Sequence, residues 1–322
     1  MASSYIALLG GMNMDLIAQP GAALVMGDSN PGSIRCVPGG VARNVAENLA
    51  RLGHAVRLVS LVGDDPLGQS LLAHTQAVGV DVSAVLSLAG WATSTYLSIH
   101  SQHGEMDFAI NDMALLNQLT PAVLQANASL LQGASAWVVD ANLAPDTLDY
   151  VLGTVLGTAV RRTAVFADAV SVAKCSRLRP WLAKLHTLKV NSLEAQALCG
   201  FTVVSRADAV AACQYLQSLG VGQVVISLGA DGVVWSDDQG SAGHCPAAPV
   251  SVVNVSGAGD ALLAGLVHGH QSAWALAQSV EFAVACAEVT LGSASANAPD
   301  LTVATVLARQ AYRHSAARHT AA

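Results

Sequence analysis

The sequence predicts an α/β fold built on a parallel sheet, and two observations carry the prediction. Short apolar runs alternate with helical stretches along most of the chain, and many of those runs end in glycine, asparagine or aspartate. Apolar strands separated by helices indicate a sheet covered on both faces, because each crossover lays a helix over the strands. In open α/β sheets ligands bind beyond the carboxyl ends of the strands. Gly11, Asn13, Asp15, Gly63, Asp64, Asp140, Asn142, Asp168, Asn191 and Gly229 are therefore candidates to line one crevice.

Taken in order, YIALLGG (5–11) reads as a buried strand, and AVRLVSLVG (55–63) repeats its pattern. DDPLGQSLLAHTQAVGV follows as a turn and helix. Further strands are expected at 136–142, 162–170, 186–191 and 222–229, and at VSVVNV (250–255) before a helix opening at DALLAGLVHGH. Two stretches break the rhythm. Residues 14–38 are rich in turn formers, and WATSTYLSIHSQHGEMDFAI (91–110) has the alternation of a hairpin turning at QHGE. Together they predict a small antiparallel excursion that covers the crevice as a lid; ordinary edge structure is the plainer alternative.

Bulk properties exclude several function classes. The 322 residues are 52% apolar and 11% charged, which argues against disorder. With 15 basic residues against 22 acidic, the formal charge of -7 gives no electrostatic footprint for nucleic acid or an anionic membrane. The mean hydropathy is positive at +0.46. Even so, stretches such as ALLAGLV (261–267) and FAVAC (282–286) fall well short of the roughly 20 apolar residues of a membrane span. The first residues lack a basic region and meet Asp15 early, so they read as a strand and not a signal peptide. Six cysteines without CxxC spacing fit free thiols in a reducing cytoplasm.

Four small constellations carry chemistry. In NVSGAGDALLAG (254–265), small residues precede Asp260 at a helix mouth. There, unpaired first-turn N–H groups can meet an anion while Asp260 accepts a proton; an ordinary helix cap is the competing reading. SLGADG (227–232) could admit a nucleotide phosphate close to the backbone or be a tight hairpin, and it is not a Walker A loop. Asn191 and Glu194 in NSLE could organise magnesium through water or simply cap a helix. Asn13 and Asp15 face the same side of an extended segment. PGGVARNVAENLARLG adds Gly39 and Gly40, which allow close backbone contact, and Asn44 near a helix start.

Together these motifs resemble the PfkB, or ribokinase-like, family of sugar and nucleoside kinases, over nearly the whole chain. The resemblance implies a ribokinase-like three-layer α/β/α sandwich as one kinase domain, 1–322, with a small β-sheet lid formed by approximately 14–38 and 91–112. It implies ATP and magnesium, with Asp260 as general base and the amides of Gly257, Ala258 and Gly259 stabilising the transferring phosphoryl group. Asn13, Asp15, Gly39, Gly40 and Asn44 match the ribose-binding set. Thr93, Ser94, Tyr96, Asn111 and Asp112 are candidates for lid or nucleobase contacts. Asn191, Glu194, Ser227, Gly229 and Gly232 match the Mg·ATP elements, with Glu194 reaching the metal through water, while Asn254 and Asn297 lie in segments expected near adenine or a cation. Lys174 could approach phosphate, although a lone lysine in a partly polar segment is more often a surface residue.

Within the family, DSNPGSIRCVPGGVARN (28–44), AINDM (109–113), DAVSVAKC (168–175) and NAPDLT (297–302) are similar to the branch that phosphorylates pseudouridine at the ribose 5′-hydroxyl. Another sugar or nucleoside kinase activity, or a non-catalytic nucleoside-binding role, are the rivals. One departure stands out. Ribokinases commonly carry Asp-Thr before the small-residue turn, whereas Asn254 and Val255 stand here; backbone carbonyls could still bind potassium, but a formal charge that favours it is removed. No catalytic role is expected of His100, His103, His268 or His270. A homodimer formed through exposed lid strands is also expected.

Overall fold

Side-chain alternation along β1 (Tyr5–Leu9) explains why this strand is central. Ile6 and Leu8 join one apolar cluster, Ala7 and Leu9 join another, and Ala7, Leu8 and Leu9 have no exposed surface. In the computed structural model, which describes residues 5–101, 105–155 and 163–320, the two clusters lie on opposite faces of one large sheet. Both faces are covered, as its near-continuous apolar strands require.

The other strands are β2 (Asn13–Pro20), β3 (Gly32–Gly39), β4 (Val56–Gly63), β5 (Asp81–Leu88), β6 (Thr95–His100), β7 (Met106–Asp112) and β8 (Ala134–Asp140). After them come β9 (Ala164–Asp168), β10 (Thr187–Asn191), β11 (Gln223–Ser227), β12 (Val233–Asp237) and β13 (Ala242–Cys245). The longer helices are α1 (Val41–Arg51), α2 (Pro66–Ala77), α6 (Ser192–Cys199), α7 (Arg206–Ser218), α8 (Ala258–Gln271), α9 (Leu276–Leu291) and α10 (Val303–Thr320). The shorter α3 (Pro121–Ala126), α4 (Pro145–Leu148) and α5 (Val172–Cys175) lie between β7 and β10.

The large sheet runs β13-β12-β11-β10-β9-β8-β1-β4-β5. Its strands from β11 through β5 pair in parallel, and β12 and β13 add an antiparallel edge. From β1 the chain builds outward to β4 and β5 on one side and later to β8 and its successors on the other. The order therefore reverses at β1, where a crevice opens beyond the strand ends. The fold is the ribokinase-like α/β class expected from the sequence.

A second sheet, in the order β3-β2-β6-β7, supplies the expected excursion. It is mixed and not purely antiparallel: β2 and β3 form one antiparallel pair, β6 and β7 another, and β2 joins β6 in parallel. Both β2 and β6 leave the same end of the large sheet, Met14 N–H donating to the Ser94 carbonyl at 2.9 Å, so they must run the same way. Residues 102–104 of the expected QHGE turn lie outside the described residues.

The expected strand at 250–255 is corrected. Those residues form irregular backbone in which Val250 is half-buried and Val252, Val253 and Val255 are exposed, with Val253 N–H donating to the carbonyl of Leu291 at the end of α9. Among the described residues no strand pairs with this stretch, so valine's β preference goes unused. All six cysteines are free thiols, and only Cys36 is exposed.

Candidate active site

The glycine hinge before Asp260 is enforced by geometry. Gly257 caps α8 with φ 80°, and a β-carbon there would collide with the Ala296 carbonyl oxygen. Asp260 is not the cap but stands in the first turn of α8, whose N-terminal N–H groups have no side-chain cap. Its Oδ2 accepts a hydrogen bond from Asn44 Nδ2 at 2.8 Å. Burial pushes the Asp260 carboxyl up to about 7; Asp168 adds to the rise, while Lys189 and the Asn44 bond oppose it. A carboxylate tuned this way can take a proton near neutral pH.

Beneath the helix mouth lies a buried ion pair, Lys189 Nζ to Asp168 Oδ2 at 2.9 Å. A β-carbon on Gly259 would sit 2.7 Å from Lys189 Nζ, so glycine lets the loop lie directly on the ammonium. Burial works against the Lys189 charge, but Asp168, then Asp260 and Glu194, outweigh it and hold the ammonium protonated. At the end of β8, Asp140 Oδ2 accepts from Gly11 N at 2.8 Å and from Ala42 N at 3.0 Å, pinning the β1 loop to the start of α1. Its carboxyl rises to about 6, driven by burial and opposed chiefly by the Gly11 hydrogen bond.

Across the crevice, the sugar-side candidates converge. Asn13 Nδ2 donates to Asp15 Oδ1 at 2.6 Å, so the two share a face as their spacing predicts. Gly39 leaves room for the Asp15 carboxylate, which a β-carbon would meet at 2.5 Å. Gly40, at φ 100°, lets α1 start against the Gly11 carbonyl. Burial raises the Asp15 pKa, while Asn13 and then Arg43 lower it. Register places Val37, Asp15, Tyr96 and Asn111 in one cross-strand row of the second sheet, so Tyr96 and Asn111 share the face of Asp15. Asp112 pairs with Thr95 and points from the other face. Thr93 and Ser94 serve the base of the sheet: the Thr93 hydroxyl donates to Asp65 at 2.6 Å and accepts from Gly63 N, and the Ser94 carbonyl accepts from Met14.

On the far side of α8 a cavity of about 610 Å³ is lined by Ser227, Gly229, Gly232, Val250, Ala258 and Gly259, with larger side chains such as Leu262 and Leu291 completing a mostly apolar wall. The turn Gly229–Asp231 joins antiparallel β11 and β12, so SLGADG is both a tight hairpin and a cavity wall. Asn191 and Glu194 form a reciprocal capping box at α6, with Glu194 buried. Asn254 Oδ1 accepts from Ser256 N, and its Nδ2 donates to the Ala294 carbonyl. Asn297 lies apart from that cavity: its Nδ2 donates to the Asn44 carbonyl and to Asn48 Oδ1. Lys174 Nζ donates to Asn142 Oδ1 at 2.6 Å, beside the crevice at the end of β8.

Two members of the site escaped the motif reading. Lys189 is a lone cation inside the apolar strand HTLKVN, and that anomaly is its signal. Arg43, 1% exposed, sits four residues before Glu47, a spacing that offers an ion pair.

The model of the pfkB family of carbohydrate kinases matches residues 3–303. The chain is 39% identical to a pseudouridine kinase of Escherichia coli over 94% of its own length and 95% of the relative's. It is 38% identical to an uncharacterized sugar kinase of the same organism, over 92% of this chain and 81% of that one. Its fold superposes with a TM-score of 0.85 on Arabidopsis thaliana ribokinase complexed with ribose and ATP, at 19% identity and covering 96% and 99% of the two chains. With its family match running through both ends of the crevice, the chain belongs to the PfkB carbohydrate kinase family and is a kinase of the sugar and nucleoside class.

Proposed function

We propose that the protein transfers the γ-phosphoryl group of ATP to the ribose 5′-hydroxyl of pseudouridine, giving pseudouridine 5′-phosphate and ADP. The observation that carries this reading is Asp260, a carboxylate poised near neutrality in the first turn of α8 and held by Asn44. The choice of pseudouridine rests on the 39% identical relative.

In this reading Asn13, Asp15, Gly40 and Asn44 hold the ribose. Asp260 takes the 5′-hydroxyl proton as the new O–P bond forms and the bond from the γ-phosphorus to the bridging oxygen breaks. The amides of Gly257, Ala258 and Gly259 face the charge that develops on the transferring group. Adenine occupies the cavity beside Ser227, Gly229 and Gly232, whose mostly apolar lining suits a planar base. Tyr96 and Asn111 read the nucleobase from the lid, and closure of the lid excludes water.

Among the described residues no group of three or more His, Cys, Asp or Glu is placed to hold a metal. That suits magnesium carried mainly by water and phosphate oxygens, with Glu194 reaching it through water. Bound magnesium would neutralise phosphate charge. Asn254 hydrogen-bonds Ser256 and Ala294 and brings no formal charge, so potassium, if bound, would rest mainly on backbone carbonyls.

The outer face of the lid supports a homodimer. Cys36, Leu16, Leu97 and Ile110 form one cross-strand row on the face opposite Asp15, with Leu16 half-buried against the core, and Ile34, Ala18, Ile99 and Phe108 form the next. Ile34 is 72% exposed and Ile110 is 62% exposed. Apolar rows of this extent call for a partner surface, and a second copy presents the same rows. The six free thiols favour a reducing cytoplasm.

The test is a panel of pseudouridine, uridine, ribose, adenosine and inosine with Mg·ATP, the product identified by mass spectrometry and ³¹P NMR. Pseudouridine 5′-phosphate as the favoured product supports the proposal. Preference for uridine or ribose would replace the substrate, and binding without any phosphorylated product would replace the activity.

A further inference from the structure

Arg43 is the largest side chain with almost no exposure, and it lies on α1 next to Asn44. Burying a guanidinium is costly unless its partners are well placed. Its Nε and Nη2 both donate to Asn44 Oδ1, at 3.2 and 2.8 Å. Nη2 also donates to Asn297 Oδ1, and Nη1 pairs with Glu47 Oε2 at 2.8 Å. Glu47 is anchored in turn by Arg51, and Asn297 by Asn48 and the Asn44 carbonyl. The guanidinium is therefore clamped from several sides, and its fork meets one face of the Asn44 amide.

A primary amide has one accepting and one donating end, and in isolation it can turn over. Against an ionised Asp260 only the donating end is useful; the carbonyl end would meet the carboxylate as a second lone-pair acceptor. We propose that Arg43 is a positioning residue for the catalytic base: by engaging Asn44 Oδ1 with two N–H donors, it fixes the amide so that Nδ2 always faces Asp260. The arrangement commits Asp260 Oδ2 to Asn44 and leaves Oδ1 for the substrate hydroxyl. The inference rests on Asp260 being the base, as proposed above. Facing groups on neighbouring elements are Asp15, Asp140, Asp168, Lys189 and Asp260 itself, and Asp15 and Asp260 both favour the Arg43 charge.

The test is the pH profile of kcat/KM for the nucleoside in the full-length enzyme, for wild type, R43K, N44A and R43K/N44A. Lysine keeps the charge but cannot make the two-pronged contact. R43K is expected to raise the apparent pKa of the ascending limb by about one unit and so lower kcat/KM about fivefold at pH 7, with recovery by pH 9 and an unchanged KM for ATP. In the N44A background the same substitution is expected to move the pKa no further. A uniform loss at every pH with the pKa unmoved would overturn the proposal, as would an equal shift in the N44A background. If R43K does not fold, R43M/E47Q removes both members of the ion pair together and is read by the same profile. Failure of the base assignment itself is distinct: wild type would then show no ascending limb, and D260N would turn over.

Discussion

In the proposed reaction, one protonation of Asp260 governs both turnover and stability. Because burial holds its carboxyl near 7, kcat/KM for the nucleoside is expected to climb with pH and level off above about 7.5, as titration of the free enzyme in a coupled assay would record. The folded state binds a proton that the unfolded chain, with an ordinary carboxylate, has released between about pH 4 and 7. Stability from this group is thus present at low pH and lost as pH rises through 7. D260N removes that burden and keeps an acceptor for Asn44. At pH 8 it is expected to be more stable than wild type by on the order of 1–2 kcal/mol after allowance for partial exposure, read as a higher melting temperature, with the gap shrinking as pH falls and closing only near pH 4. The same variant is expected to lose about 10³-fold in kcat while binding nucleoside, measured calorimetrically, with little change. A melting gap that stays constant with pH would contradict the titration argument.

Individual residues also show what the sequence made readable. The roles open to Asp260, Asn13, Asp15 and Gly39 followed from local spacing, and geometry is local there. Arg43 and Lys189 escaped because their meaning lies in contacts between distant segments, α1 with residue 297 and β10 with the α8 loop. Spacing along one element cannot reveal such partners. Asn297 fell outside the cavity lining for the same reason, since a fold contact claimed its amide.

At the scale of elements, helix ends do most of the positioning. The α8 end depends on Gly257 at φ 80°. G257A is expected to cost at least about 1–3 kcal/mol and most of the activity, because a β-carbon strains the turn and displaces the Ala296 backbone. Urea unfolding at pH 8 and the coupled assay would read both losses. By contrast the end of α6 is a self-contained capping box, so N191A is expected to cost about 1 kcal/mol. A larger effect on the KM for Mg·ATP than on stability would favour the cofactor role over capping. The expected strand at 250–255 failed at this scale, because composition reports β preference but not the presence of a neighbouring edge.

For the molecule as a whole, the reversal of strand order at β1 brings the α1 loop, the ends of β8 and β9, and the α8 mouth to one crevice. The alternation of strands and helices made that architecture legible, whereas the parallel union of β2 and β6 was not, since pairing direction between segments about 75 residues apart has no local signature. If two copies associate through the outer lid face, I110K is expected to shift the protein from dimer to monomer in analytical ultracentrifugation. A dimer that survives I110K together with F108K would place the interface elsewhere.

The lid has a further consequence, for how such a protein changes over generations. On each of its strands, alternate residues serve two clients: Asp15, Tyr96 and Asn111 look toward the crevice, while Leu16, Leu97 and Ile110 look away. Removing one residue inside β7 would exchange the sides, turning apolar positions inward and polar ones outward at a stroke. Substitutions can therefore tune either face alone, but a single-residue insertion or deletion in that strand rewrites both together.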